Sequence, residues 1–365
     1  MEKYLIVYAH EDMAWNMLTF GRDYTLPAGE TRRREQGSLA PQHNGDTLLG
    51  WPDYQRGRVA IVFSTLFNAP LHRRLGDWDT LCYATFDEAH ALYRAQLEAY
   101  HRLAGEHPDM FRLVYTRSDL QAVLAHWQRK DTDEHPVGLV VLMENAEGVR
   151  QPGELEEWWA GGVRIIGPAW AGTRYCGGTR EPGPLTADGH ALLKRMAELG
   201  FVLDLSHMDA QAAMQALESY PRQVIASHGN ALALLPGSDS NRHLTNEVLR
   251  GLIERDGVIG VVPNNGFLLV DWRSRGGREA VSIDLLIAQI DYICQLAGDA
   301  RHVGLGSDFD GGFGLQSVPV ELDTIADLQI IAPRLAQKGY TEADIAAILG
   351  ENWLDMLQNN LPEVV

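Results

Sequence analysis

The chain has 365 residues, 45% hydrophobic and 22% charged, which is enough for a large core and suits a single barrel domain over residues 1–365. A formal charge of −18 excludes a nucleic-acid binder working through basic stripes. Cys82, Cys176 and Cys294 are too few and too scattered for a disulfide framework or a cysteine zinc site, and no run of about eighteen apolar residues offers a membrane span.

The apolar run near the start, LIVYA, ends in charge after a few positions, so no signal peptide is expected and the protein is expected to be cytoplasmic. Strands are predicted in chain order at 4–9, 58–67, 138–143, 163–167, 201–206, 223–227, 257–262 and 302–307. Helices are predicted between them. Segment 87–107 sets Leu92, Ala95, Ala99 and Leu103 on one face; 186–200 opens on Thr186 and closes on Gly200; 282–298 has the same grammar. Short continuous apolar runs alternating with helices imply a parallel sheet covered on both faces, and eight of them suggest a closed (β/α)8 TIM barrel. The Pro/Gly-rich stretch 21–57 is expected to be an irregular loop after the first strand, and 171–185 a second such insert. Long loops of this kind serve as binding loops or lids.

The strand ends carry the chemistry. The first run leads into His10 and Asp12, the third into Glu144, the fifth and sixth into His207 and His228 through two Ser-His pairs, and the eighth into Asp308. In a parallel barrel all C-terminal strand ends open on one face, so these side chains meet at one mouth. His10 and Asp12, two apart, point to the same side of an extended strand. Imidazole and carboxylate are ligands for zinc and similar divalent ions. Six such residues suit two ions better than one, with a glutamate able to bridge a pair about 3.5–4 Å apart.

At these residues the sequence resembles the membrane (renal-type) dipeptidase family of zinc peptidases, amidohydrolase-like barrels. The resemblance is carried by AHEDMAWN, VLMENAEG, GPLTADGHALLKRMAELGFVLDLSHM, IASHGN, NRHLTNEVL, GLGSDFDGG and GYTEADIAAILGENWLDML, in that order along nearly the whole chain. It implies that His10 and Asp12 bind one zinc, that His207 and His228 bind the other, and that Glu144 bridges them. Asp308 would deprotonate the bridging water, Arg242 would pair with the substrate's terminal carboxylate, and the protein could be a homodimer.

One position departs from the family pattern. Where the family carries a substrate-contacting histidine after the fourth strand, VRIIGPAWAGT places Trp170. An indole donates one hydrogen bond and carries no proton charge. Arg174 or Tyr175, on the same loop, are the alternative donors. The expected activity is hydrolysis of the amide bond of dipeptides or dipeptide-like molecules by two divalent metal ions, with a non-peptide amide or lactam as the alternative substrate. Ordinary L,L-dipeptides are expected to be poor substrates.

Overall fold

The computed structural model describes residues 4–364. All eight apolar runs become parallel strands: β1 (Ile6–Glu11), β2 (Val59–Leu66), β3 (Val137–Glu144), β4 (Val163–Gly167), β5 (Val202–Asp204), β6 (Val224–Ile225), β7 (Ile259–Val261) and β8 (Val303–Leu305). They pair in the order β6-β5-β4-β3-β2-β1-β8-β7. The remaining seam, β6 to β7, is bridged at Ala226 and Ile259, where Ala226 N donates to Val258 O at 3.0 Å and Gly260 N to Ala226 O at 2.8 Å. The backbones crowd at this seam. A Cβ on Gly260 would stand 2.0 Å from Ser227 O, so no other residue fits there.

Pairing around the barrel is uneven. Ile61 to Leu66 of β2 each face a partner in β3, whereas β5 and β6 share only Leu203–Val224 and Asp204–Ile225. Every residue of β2 and β3 is buried, as strands covered on both faces should be. Alternate side chains enter separate cores. Val7, Ala9, Ile61, Phe63, Val140, Leu142, Ile165 and Ile225 form one cluster with Trp353, Met356 and Leu357 of the C-terminal helix. Ile6, Tyr8, Val62 and Val141 pack instead with helical residues such as Tyr93, Leu97 and Leu192.

The three predicted helices form where their caps place them. Phe86–Glu106 carries a Thr85/Glu88 capping box. Ala187–Leu199 is capped by Thr186 and stopped by Gly200 at φ 99°, and Ile283–Ala297 by Ser282 and Gly298 at φ 85°.

The expectation of an irregular loop over 21–57 is corrected: Ala28–Arg34, Leu39–His43 and Trp51–Gly57 are short helices. Local features explain them, including Ser38 as an N-cap, Pro52 in the first turn of the third, and Arg34 paired with Glu30 one turn away. The insert at 171–185 is likewise ordered, as the antiparallel pair Cys176–Gly178 and Glu181–Leu185. A further short strand, Phe111–Leu113, pairs with the first half of β3. The three cysteines are free, and none of the described helices is long and apolar enough to cross a membrane.

Candidate metal centre

His10, Asp12, Glu144, His207, His228 and Asp308 come together at the C-terminal ends of β1, β3, β5, β6 and β8. His10 Nε2 lies 3.7 Å from Asp12 Oδ2, 3.6 Å from Glu144 Oε2 and 3.7 Å from Asp308 Oδ1. Glu144 Oε1 lies 3.0 Å from His207 Nε2 and 3.4 Å from His228 Nε2, and the two Nε2 atoms are 3.0 Å apart. Three ligand groups can be drawn from this set: His10–Asp12–Glu144, Glu144–His207–His228 and His10–His228–Asp308.

The backbone is bent to deliver these side chains. His10 (φ 72°), Asn145 (65°), His207 (65°) and Asp308 (55°) all adopt left-handed conformations, each costing roughly 1–3 kcal/mol for such a residue. At β1 the pairing with β2 shifts register between Tyr8 and Glu11. His10 and Asp12 therefore meet through a backbone turn rather than through strand alternation. Asp12 occupies the N-cap position of the helix Met13–Phe20 but makes no capping hydrogen bond, because its carboxylate serves the cluster instead. Gly311 leaves room for this arrangement, since a Cβ there would stand 2.2 Å from Asp308 Oδ1 and 2.8 Å from Asp12 Oδ2.

A second set of residues holds the ligands in place, of which the sequence had shown only the serines of the two Ser-His pairs. His207 Nδ1 is 2.9 Å from Thr179 Oγ1, and His228 Nδ1 is 2.8 Å from Ser227 Oγ. Ser227 Oγ in turn donates to the buried Asp204, which also accepts from Ser206 Oγ at 2.7 Å. Ser206 Oγ accepts from His228 N at 3.1 Å. The two Ser-His pairs are thus one network hung on Asp204. Tyr93 donates to the Glu144 carbonyl at 2.7 Å.

These residues fit divalent cations. With each Nδ1 committed to a hydroxyl, Nε2 of His207 and of His228 presents a lone pair to a carboxylate oxygen. His10 Nδ1 and Nε2, Asp12 Oδ1 and Glu144 Oε1 are buried without a hydrogen-bond partner among the described residues, where such atoms are ordinarily satisfied. The electrostatics agree. Burial, Arg242 and the His10 charge hold the His207 imidazole well below its usual range, and burial with His10, Arg242 and His207 does the same to His228. Burial opposes charge on His10 too, but Glu144, Asp12 and Asp308 outweigh it and raise that imidazole to about 10. Burial, with Asp12 and Asp308 adding to it, lifts Glu144 well above the carboxylate range. Burial, reinforced by Asp12, pushes Asp308 up to about 7. Carboxylates crowded so tightly call for positive charge between them.

Asp310, two residues on from Asp308, has a different task. Its carboxylate accepts from Tyr24 at 2.8 Å and Thr47 at 2.6 Å and pairs with Arg22 at 3.0 Å. It ties the 21–57 segment to the barrel.

The cluster floors a cavity of about 650 Å³. His43, Asn44 and Gly45 from the 21–57 segment form part of its wall, as do Arg73, Leu75 and Trp78 from the following connection and Thr179 and Arg180 from the hairpin. Arg242 also lines it. Its guanidinium is buried, lies 5.2 Å from the Phe267 ring centre and donates once, from Nη2 to His228 O at 2.8 Å, while Nε and Nη1 have no partner among the described residues. Trp170 lines it too, 5.1 Å from the Phe67 ring and 6.4 Å from that of His207. Arg174 and Tyr175 do not reach the cavity. Both bond to Val149 O, which corrects the expectation that either could replace the missing donor.

The sequence pattern that defines the membrane dipeptidase family (peptidase family M19) matches residues 1–361. An uncharacterized protein of the pqqA 5′ region of Klebsiella pneumoniae is 33% identical over 62% of this chain and 83% of its own length. Among solved structures, the metallo-peptidase dipeptidase AC is 22% identical, covers 99% of both chains and superposes with a TM-score of 0.78. A metallo peptidase from Rhodobacter sphaeroides, solved with a phosphinate mimic of L-Ala-D-Ala, is 21% identical over 99% of this chain and 100% of its own, with a TM-score of 0.77. With that pattern running through residues 1–361, this chain belongs to the membrane dipeptidase family of metallopeptidases.

Proposed function

We propose that this enzyme hydrolyses dipeptides bearing a free α-carboxylate, with two divalent ions, zinc by ligand type, one held by His10 and Asp12 and the other by His207 and His228, with Glu144 between them. The observation that carries this reading is the meeting of ligands from five strand ends around one buried carboxylate. Bound there, such ions supply Lewis acidity and bring the pKa of a water from about 15.7 to about 7. Asp308 takes the proton from the attacking water and returns it to the leaving amine as the C–N bond breaks. Arg242, whose Nε and Nη1 have no partner among the described residues, would hold the substrate's terminal carboxylate. A non-peptide amide or lactam is not favoured, since the family match spans residues 1–361.

A panel of L,L- and L,D-dipeptides, assayed with zinc-loaded protein, tests the reading; no turnover of any member would refute it. Two results are expected within the panel. Amidating the C-terminus of a good substrate should lower kcat/KM at least tenfold, about what a charge-assisted hydrogen bond of roughly 1.5–3 kcal/mol provides. Equal rates on acid and amide would show that Arg242 does not read the substrate.

The second result concerns Trp170. An oxyanion donor removed costs on the order of 10²–10³ in kcat, and the ions make good part of it. Trp170→His should therefore speed L,L-dipeptide hydrolysis by roughly tenfold over the unaltered enzyme. Brisk turnover of common L,L-dipeptides by the unaltered enzyme would contradict this account of the indole.

A further inference from the structure

We infer that Arg180 is a specificity-determining residue that reads a side-chain carboxylate on the C-terminal residue of the substrate, so that the enzyme favours dipeptides ending in aspartate or glutamate. The inference rests on the reading of Arg242 given above and extends it to the neighbouring residue.

The tip of the 176–185 hairpin is keyed into the site at several points. Thr179 meets the His207 ring at 2.9 Å, and its N–H donates to Trp170 O at 2.9 Å. The next residue, Arg180, donates its backbone N–H to Asn241 Oδ1 at 2.8 Å, and Asn241 Nδ2 donates back to Gly178 O at 2.9 Å. Asn241 immediately precedes Arg242. The hairpin therefore fixes the Arg180 backbone next to the residue that precedes Arg242, and both arginines line the same cavity.

Arg180 is exposed at the cavity mouth, and two further features bear on its role. It holds φ at 66°, a conformation for which glycine or asparagine is the usual choice at a turn. Its side chain is also left uncommitted. The adjacent Glu181 could pair with it but turns instead to Arg73, to His72 at 2.9 Å and to Gly172 N at 3.0 Å. Among the described residues the Arg180 guanidinium has no hydrogen bond or ion pair, while the chain as a whole carries a charge of −18. That overall charge repels an acidic ligand, so recognising one needs local cations at the mouth. A group bound beside the α-carboxylate that Arg242 holds belongs to the same residue of the substrate, and the complement of a free guanidinium there is a second carboxylate.

The test compares Ala-Asp with Ala-Asn and Ala-Glu with Ala-Gln, pairs alike in size and different in charge, as substrates of the zinc-loaded enzyme. Calorimetric binding of phosphinate mimics of Ala-Asp and Ala-Asn gives a readout independent of turnover. The acidic member of each pair is expected to lead by about tenfold or more in kcat/KM, mainly through KM, and its mimic to bind tighter by a similar factor. Arg180→Gln should bring both ratios close to one, Arg180→Lys should restore part of them, and Arg180→Glu should put the amide ahead. Thermal melting of each variant verifies that the fold is kept.

Equal handling of acid and amide by the unaltered enzyme, or a preference that survives in Arg180→Gln, overturns the inference. Mimics that bind with an Arg180-dependent preference while no dipeptide is cleaved would refute the hydrolytic reading and leave this one standing. Absence of both binding and turnover would refute the two together.

Discussion

Asp308→Asn is expected to lower kcat by on the order of 10²-fold or more while leaving the metal content unchanged. Asn keeps the shape and one oxygen of the side chain but cannot hold the proton of an attacking water. The Asp308 carboxylate stands in a position compatible with such work. It lies 3.7 Å from His10 Nε2, keeps a fraction of its surface open to the cavity, and is not engaged in capping a helix. Asp310 supplies the contrast, because its oxygens are taken up by Tyr24, Thr47 and Arg22. Its replacement by asparagine disturbs a buried ion pair, a loss of roughly 3–5 kcal/mol when one partner goes, and so acts on stability. Steady-state kinetics beside elemental analysis and thermal melting separate the two cases. Undiminished kcat in Asp308→Asn would place the base elsewhere.

Glu144→Gln should be more severe, removing activity together with bound metal. Glu144 belongs both to the group with His10 and Asp12 and to the group with His207 and His228, so loss of its charge weakens both halves at once. Even the loss of an outer partner of a metal ligand costs about 10–100-fold in affinity, and the loss of a shared ligand should exceed the upper figure. Unaltered protein purified with zinc is expected to hold close to two ions per chain, and its melting temperature to rise with added zinc by mass action. The variant should lose both properties. A fully active enzyme with a stable ratio of one ion per chain would remove Glu144 from its bridging position.

Much of the architecture was legible because the barrel is written in simple patterns. Eight apolar runs too short for helices mark strands buried on both faces, and Thr186, Gly200, Ser282 and Gly298 punctuate two of the helices between them. The six residues of the cluster were legible because five of them follow an apolar run directly and Asp12 stands two residues beyond His10. The route to one pairing was different, however. Alternation along β1 predicted that His10 and Asp12 share a face, whereas a left-handed turn at His10 and a register shift bring them together. Backbone conformations of that kind leave no periodic trace.

Other features lacked a signal of sufficient length. The helices at 28–57 are short and held by individual caps and ion pairs, so their Gly, Pro and Arg content reads as loop. Phe111–Leu113 is too brief to show a period. Thr179 supports His207 from 28 residues away, across a connection whose path only the fold reveals. Ser206 and Ser227 were the exception, visible as a repeated Ser-His pair though not as branches of the Asp204 network.

The uneven pairing of the barrel divides the ligand set by mechanical stiffness. His10, Asp12 and Glu144 follow β1 and β3, which flank the long ladder of β2. His207 and His228 follow β5 and β6, joined to each other through two residue pairs and to β7 through a single bridge. Local opening begins where backbone bonds are fewest. One half of the centre is therefore anchored beside the longest ladder of the wall, where backbone amide exchange is expected to be slower than at β5 and β6, whose histidines depend on the Asp204 network instead.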